Sequence, residues 1–114
     1  MKNNQLQELI KELKTLAIEK QVDLWKRVAT DLERPTRQRR VVNISRINTF
    51  TIPDEIVIVP GKVLSGGELD HPVTVAALNF SENAGKKIAV KGKVMSIQEL
   101  IRQNPEGKKV RIIG

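Results

Sequence analysis

An α/β fold, with a layered core of short strands and helices preceded by two N-terminal helices, is what these 114 residues predict. Apolar residues recur at helical spacing through the first third of the chain. Short β-branched runs then take over, and helix-capping sequences interleave with them. That alternation is the pattern of strands layered against helices.

In chain order, Leu6, Leu9, Ile10, Leu13, Leu16 and Ala17 share one helical face, with lysines and glutamates opposite, which predicts a helix over about 4–20. After a break near Lys20-Gln21 the pattern resumes at Val22, Trp25, Val28, Ala29 and Leu32, with Asp23 a first-turn acid suited to the helix dipole. Pro35 ends this second helix, because it disfavours helical geometry at Arg34 and cannot donate to the turn before it. Val41-Val42-Asn43-Ile44 is short and β-branched. Glu55-Ile56-Val57-Ile58-Val59 reads as a strand covered on both faces and ended by Pro60-Gly61, and Thr74 to Phe80 reads similarly. A turn-rich stretch from Leu64 to Pro72 joins them. Ser81 is placed to cap a short helix through about Ile88. Ser96-Ile97-Gln98-Glu99 spells a capping box for another helix that stops before Pro105, and Val110 to Ile113 closes the chain as a strand.

The expected organisation is one compact domain with a helical segment over 1–33, a basic connector over 34–46 and an α/β core over 47–114. That length buries an apolar core without staples. With no cysteine, disulfides, thiolate metal sites and cysteine nucleophiles are excluded, and the single histidine, His71, cannot build a histidine-rich metal site. No apolar run reaches the roughly 18 residues of a membrane helix. The start, Met1-Lys2-Asn3-Asn4-Gln5, is too polar for a signal peptide, so a soluble cytoplasmic protein without cofactor or metal is expected.

The charge is segregated. Lys and Arg number 20 against 13 acids, net +7. Residues 1–33 balance, and the acids outnumber the bases over 47–85. The excess sits in Arg34, Arg37, Arg39, Arg40 and Arg46, with no acid among them, and in the lysine-rich stretch from Lys86 onward. Such blocks attract a polyanion by counterion release, and composition alone does not separate nucleic acid from an anionic membrane surface. Arginine grips phosphate with a planar fork while lysine is a flexible point charge, so the arginine block is the expected anchor. The bland reading is a solvated basic loop, against which stands the lack of interleaved acids.

Chemistry is poorly supported. Pro60-Gly61-Lys62-Val63-Leu64-Ser65-Gly66-Gly67 lacks the Gly-Lys-Ser/Thr end of a phosphate loop, and its glycines serve equally well as a tight turn. No G-x-S-x-G elbow exists to pair with His71, which sits in the turn Asp70-His71-Pro72. Trp25 falls on the apolar helical stripe, which favours packing over base stacking. Only Phe50 and Phe80 join it as aromatics, so folded RNA recognised by phosphate and shape fits better than a single strand.

Several of these segments carry a family likeness. Lys62-Val63-Leu64-Ser65-Gly66-Gly67-Glu68-Leu69, Val73-Thr74-Val75, Phe80 through Ile88 and Gly92 resemble the signature shared by large-subunit ribosomal proteins 15 and 18e. Arg34 through Ile47 resembles the 18e branch, and the likeness runs from about Leu24 to the C-terminus. The chain is short and has neither the long glycine- and arginine-rich arm of bacterial protein 15 nor eukaryotic extensions, so it looks like the archaeal form. The resemblance implies a layered α/β protein bound to 23S-type ribosomal RNA beside neighbouring ribosomal proteins, with no catalytic chemistry, no small-molecule substrate and no membrane. It does not mark which side chains touch RNA. Charge places those contacts on Arg34, Arg37, Arg39, Arg40 and Arg46, and secondarily on Lys62, Lys86, Lys87, Lys91 and Lys93. The competing reading is a protein–protein adaptor docking through the two amphipathic N-terminal helices.

Overall fold

A computed structural model describes residues 3–113, so Met1-Lys2 and Gly114 lie outside the described residues. Helix α1 (Asn3–Lys20) and helix α2 (Asp23–Leu32) are joined by a tight reversal. There Gln21 takes a left-handed φ of 56° and the Val22 N–H donates to the Ala17 carbonyl at 3.0 Å. This is a Schellman closure with glutamine where glycine would sit unstrained. A 3₁₀ turn (Thr36–Gln38) leads into β1 (Arg40–Asn43) and directly into α3 (Ile44–Phe50). Then follow β2 (Ile56–Leu64), β3 (Thr74–Phe80), α4 (Glu82–Lys91), β4 (Lys93–Ser96), α5 (Ile97–Gln103) and β5 (Val110–Ile112).

The five strands are all parallel, in the order β1-β2-β3-β4, and β5 shares the β1 side of β2. Side chains alternate across the sheet and supply two apolar layers. Val57, Val59, Val63, Val75 and Ala77 face α3 and α4, meeting Ile44, Ile47, Ala84 and Ile88. Ile58 and Ala76 face the other way, onto Leu9, Leu13, Trp25, Val28, Leu32, Ile97 and Leu100 from α1, α2 and α5. The chain is therefore an α/β fold of helices on both faces of a parallel sheet, as the near-continuous apolar strands require. The apolar stripes of α1 and α2 pack onto it, Leu9, Leu13, Trp25, Val28, Ala29 and Leu32 fully buried and Leu6, Ile10, Leu16 and Ala17 half-buried.

Local signals act where they fall in sequence. The Ser81 hydroxyl accepts from the Ala84 N–H at 3.3 Å. The box at Ser96 is complete, Glu99 N–H donating to Ser96 Oγ at 3.1 Å and Ser96 N–H to Glu99 Oε1 at 3.2 Å.

The structure departs from the sequence pattern at three places. Ile44 opens α3 rather than closing β1. Residues 93–96 form an edge strand that was not expected. Pro60-Gly61 lies inside β2 instead of ending it. Proline is excluded from central strands because it cannot donate to the ladder. Here β5 pairs with β2 only as far as Ile58, β1 begins pairing only at Gly61, and the β3 register shifts between Val59 and Lys62. The missing N–H thus falls in a gap on both sides. Gly61 is needed because a Cβ there would overlap the Arg40 carbonyl of β1.

Candidate nucleic-acid interface

Because α2 buries Trp25, Val28, Ala29 and Leu32 against the sheet, its polar side faces solvent. Lys26, Arg27 and Thr30 on that side join Asp23, Asp31, Arg34 and Arg40 in lining one surface groove. A helix, the linker after it and the start of β1 therefore bring four cations together. Arg27 also borders Val110, Arg111 and Ile112, so the basic surface continues towards β5. Lys26, Arg27 and Arg111 were not among the residues expected from the charge blocks. The signal for Lys26 and Arg27 was the helical spacing of Asp23, Lys26, Arg27 and Thr30 opposite the apolar stripe.

Arg40 is built into the fold. Its Nε and Nη2 donate to Asp31 Oδ2 at 3.2 and 3.1 Å, and Asp31 is only 6 % exposed. Arg34 stands 3.8 Å from the other oxygen of Asp31. A carboxylate that far from solvent needs such partners. Arg40→Gln is accordingly expected to cost roughly 1.5–3 kcal/mol of stability, the range for hydrogen bonds to a charged group. A denaturant titration gives that number directly, and an unchanged midpoint contradicts the assignment. Arg39 donates from Nε to the Arg34 carbonyl at 3.1 Å and borders a second groove beside Leu6, Gln7 and Ile10 of α1. Arg37 is exposed. Arg46 lies over the Phe50 ring, 4.9 Å from its centre, and Arg111 donates to the Phe50 carbonyl while standing 3.7 Å from Glu55.

The lysines divide. Lys87 Nζ donates to the Ser65 carbonyl at 3.0 Å, the Gly67 carbonyl at 2.9 Å and Glu68 Oε1 at 3.1 Å. All three of its donors are engaged, and it clamps the glycine-rich turn to α4. Lys86 makes an exposed pair with Glu82 at 3.2 Å. Lys62 is exposed on β2, in register with exposed Val41 on β1 and Asn79 on β3. Lys91 and Lys93 line a hollow at the start of β4 with Asp54, Pro72 and Thr74. The ten residues named from sequence therefore do not converge on one point. Arg34 and Arg40 share the α2 groove, whereas the lysines spread over α4 and the sheet.

Over residues 2–95 the chain matches the ribosomal protein family that takes in 50S proteins 15 and 18e and 60S protein 27A. The chain belongs to this family. It is 45 % identical over 106 residues, 92 % of its length and 90 % of the relative's, to large ribosomal subunit protein eL18 of Sulfurisphaera tokodaii. Over 112 residues, 97 % of the chain and 93 % of each relative, it is 46 % identical to eL18 of Methanoregula boonei and 45 % identical to that of Methanothermobacter thermautotrophicus. Its likeness is thus to the archaeal-type members of the 18e branch.

Within this ribosomal protein the 15/18e signature residues hold the fold. The Gly66 N–H donates to Asn43 Oδ1 at 3.0 Å, and the Gly66 carbonyl accepts from Ser45 N–H at 2.9 Å. Gly67 takes a φ of 92°, Ala84 and Ile88 are buried, and a Cβ on Gly92 would overlap the Val73 carbonyl. These contacts engage the N–H and carbonyl of Gly66 and the carbonyls of Ser65 and Gly67 within the protein.

The turn that follows carries an Asp-His-Thr constellation. His71 Nδ1 lies 2.7 Å from Asp70 Oδ1, and its Nε2 lies 2.7 Å from Thr51 Oγ1. The distances resemble a nucleophile triad. Yet the Thr51 hydroxyl is buried and donates its one hydrogen to the Ile47 carbonyl at 2.6 Å. The arrangement fastens the end of α3 to the 65–73 loop, helped by Asn48, whose Oδ1 accepts from Asp70 N–H at 2.9 Å. Among the described residues no group of three or more metal-ligating side chains gathers, and no helix is long and apolar enough to cross a membrane.

The His71 hydrogen bond, and then that of Asn48, hold the Asp70 carboxyl below its ordinary value of 3.8. A lowered folded-state value means that ionised Asp70 stabilises the fold fully above its ordinary value, and that this contribution is lost as pH falls through the lowered one. Asp70→Asn should therefore melt slightly below the parent near neutrality, the effect being small because the carboxylate is exposed and screened. The two melting curves should converge as pH is taken below 3.8. A gap that widened in acid would contradict this reading of the contact.

Proposed function

We propose that this chain is a structural constituent of the large ribosomal subunit that binds 23S-type ribosomal RNA through basic surface residues and performs no chemistry. The observation that carries this reading is the groove in which Lys26 and Arg27 of α2 face Arg34 and Arg40 of the arginine block. Cations from α2, the linker and β1 with only Asp23 and Asp31 between them make a shaped receptor for anions, and membership in a ribosomal protein family supports RNA as the polyanion. Arg37, Arg39 and Arg46 extend the contact, and Lys62, Lys86, Lys91 and Lys93 add phosphate contacts on the sheet and α4. Arg40 and Lys87 act indirectly, by fixing Asp31 and the glycine turn. The place of action is the cytoplasmic ribosome, among neighbouring ribosomal proteins, without cofactor or small-molecule substrate. An adaptor docking through α1 and α2 is disfavoured because Leu9, Leu13, Trp25, Val28 and Leu32 are committed to the core.

The test is direct binding of the full chain to refolded large-subunit ribosomal RNA across a salt series. With about six phosphate contacts, affinity should fall roughly a thousandfold between about 50 and 200 mM salt. In a lysate gradient at moderate salt the protein should travel with large subunits. A protein that runs free, and binds the RNA no better than an unrelated duplex, sinks the proposal.

A further inference from the structure

Glycine inside a helix is less stable than alanine because its backbone loses more freedom on folding. Within the described chain the other glycines have internal reasons for lacking a side chain, either pressing on neighbouring atoms or holding a positive φ. Gly85 has neither. It sits inside α4, and apart from its chain neighbours and the helix's own backbone no heavy atom lies within 4 Å of where its Cβ would stand. Its N–H is already satisfied by the Ser81 carbonyl at 3.1 Å. Nothing inside the protein needs the bare position, so the reason lies outside it.

The surroundings indicate what approaches. Over α4 and the first residue of β4 stand Lys86, Lys91 and Lys93 against Glu82, with Lys87 already paired to Glu68, which leaves a cationic excess that complements a polyanion. Lys86, next to Gly85, is held only by its surface pair with Glu82, where both side chains are largely exposed. Such pairs contribute little and yield readily to phosphate. Sugar and phosphate are contacted by side chains and also by protein backbone at close range, and a glycine permits the closest packing of an RNA strand on a helix. We propose that the Gly85 flank of α4 is an RNA-contact surface, on which the sugar–phosphate backbone packs directly against the helix while Lys86 takes a neighbouring phosphate. This rests on the RNA-binding reading above and adds to its lysine contacts on α4 the direct packing of an RNA strand on the helix at Gly85.

The experiment compares the parent chain, Gly85→Ala, Gly85→Leu and the control Thr15→Leu, which places the same leucine side chain at an exposed site on α1. Thermal melts come first. Gly85→Ala should raise the melting temperature by about 4 °C, following the helix-propensity gain. Binding to refolded, protein-free large-subunit RNA purified from an archaeal ribosome comes next. Gly85→Leu should bind about tenfold more weakly than the parent, Gly85→Ala less so, and Thr15→Leu as the parent does. Equal binding by the parent and Gly85→Leu overturns this inference while leaving the RNA-binding reading intact. Unchanged RNA affinity with failed subunit assembly also overturns it, in favour of a protein partner. A fall in melting temperature for Gly85→Ala overturns the premise, since the glycine then has an internal role. A parent chain that does not bind the RNA overturns both readings together.

Discussion

Replacing Lys26, Arg27, Arg37 and Arg39 together by glutamine should leave the protein folded and weaken its binding to large-subunit RNA by a hundredfold or more, at roughly physiological salt. None of the four is fully buried, and Arg39's side chain is held by a carbonyl rather than an acid. The fold should therefore lose little, and the melting temperature should stay within a few degrees of the parent. The salt dependence is the sharper readout. Each phosphate contact removed lowers the slope of log affinity against log salt by about one, so the variant should be flatter by up to about four. Arg40 is left out because Asp31 depends on it, and its loss would confuse unfolding with weakened binding. A variant that binds with the parent's affinity and slope would remove the α2 groove from the interface. One that loses affinity without changing slope would show that contacts other than phosphate pairing had been disturbed.

That choice of residues shows where sequence stopped and structure began. The arginine block was legible because five like charges without an acid need no fold to be noticed. Lys26 and Arg27 were hidden inside a segment of zero net charge, and only the packing of α2 separates them from the acids on the same helix. In the other direction, Arg40 and Lys87 read as free cations until their partners, Asp31 and the 65–68 turn, were placed beside them. The fold divides similarly. Long periodic stretches, α1, α2, β2 and β3, announced themselves through spacing and composition. α3 did not, since Ile44-Ser45-Arg46-Ile47-Asn48-Thr49-Phe50 holds few strong helix formers and follows a β-branched run without a break. β4 is too short to show a period. Pro60-Gly61 carried a correct local rule to a wrong place, because the exception depends on where β5 stops and β1 begins pairing along β2.

Trp25→Ala should be the most damaging single substitution for stability, costing about 3–5 kcal/mol. The side chain is fully buried among residues of α1, α5 and the sheet, and its Nε1–H donates to the Pro105 carbonyl at 2.7 Å. That bond ties α2 to the loop before β5, and Gly107 packs against the same ring, so truncation loosens two elements far apart in sequence. In a chain of this size the loss corresponds to a fall in melting temperature of roughly 12–20 °C. Trp25→Phe keeps an aromatic body but loses the hydrogen bond and part of the volume, and should fall between Ala and the parent. Since Trp25 is the sole tryptophan, its fluorescence reports on the site without labelling. The folded protein should emit at short wavelength, resist acrylamide quenching, and keep its spectrum when RNA is added. This separates packing from base stacking, the other role its chemistry allows. If Trp25→Phe folds like the parent but loses RNA affinity, or if RNA quenches the parent's emission, the side chain is a nucleic-acid contact. If stability falls while folded Trp25→Phe binds RNA as the parent does, Trp25 acts through the core, by holding the basic face of α2 at its angle to the arginine block.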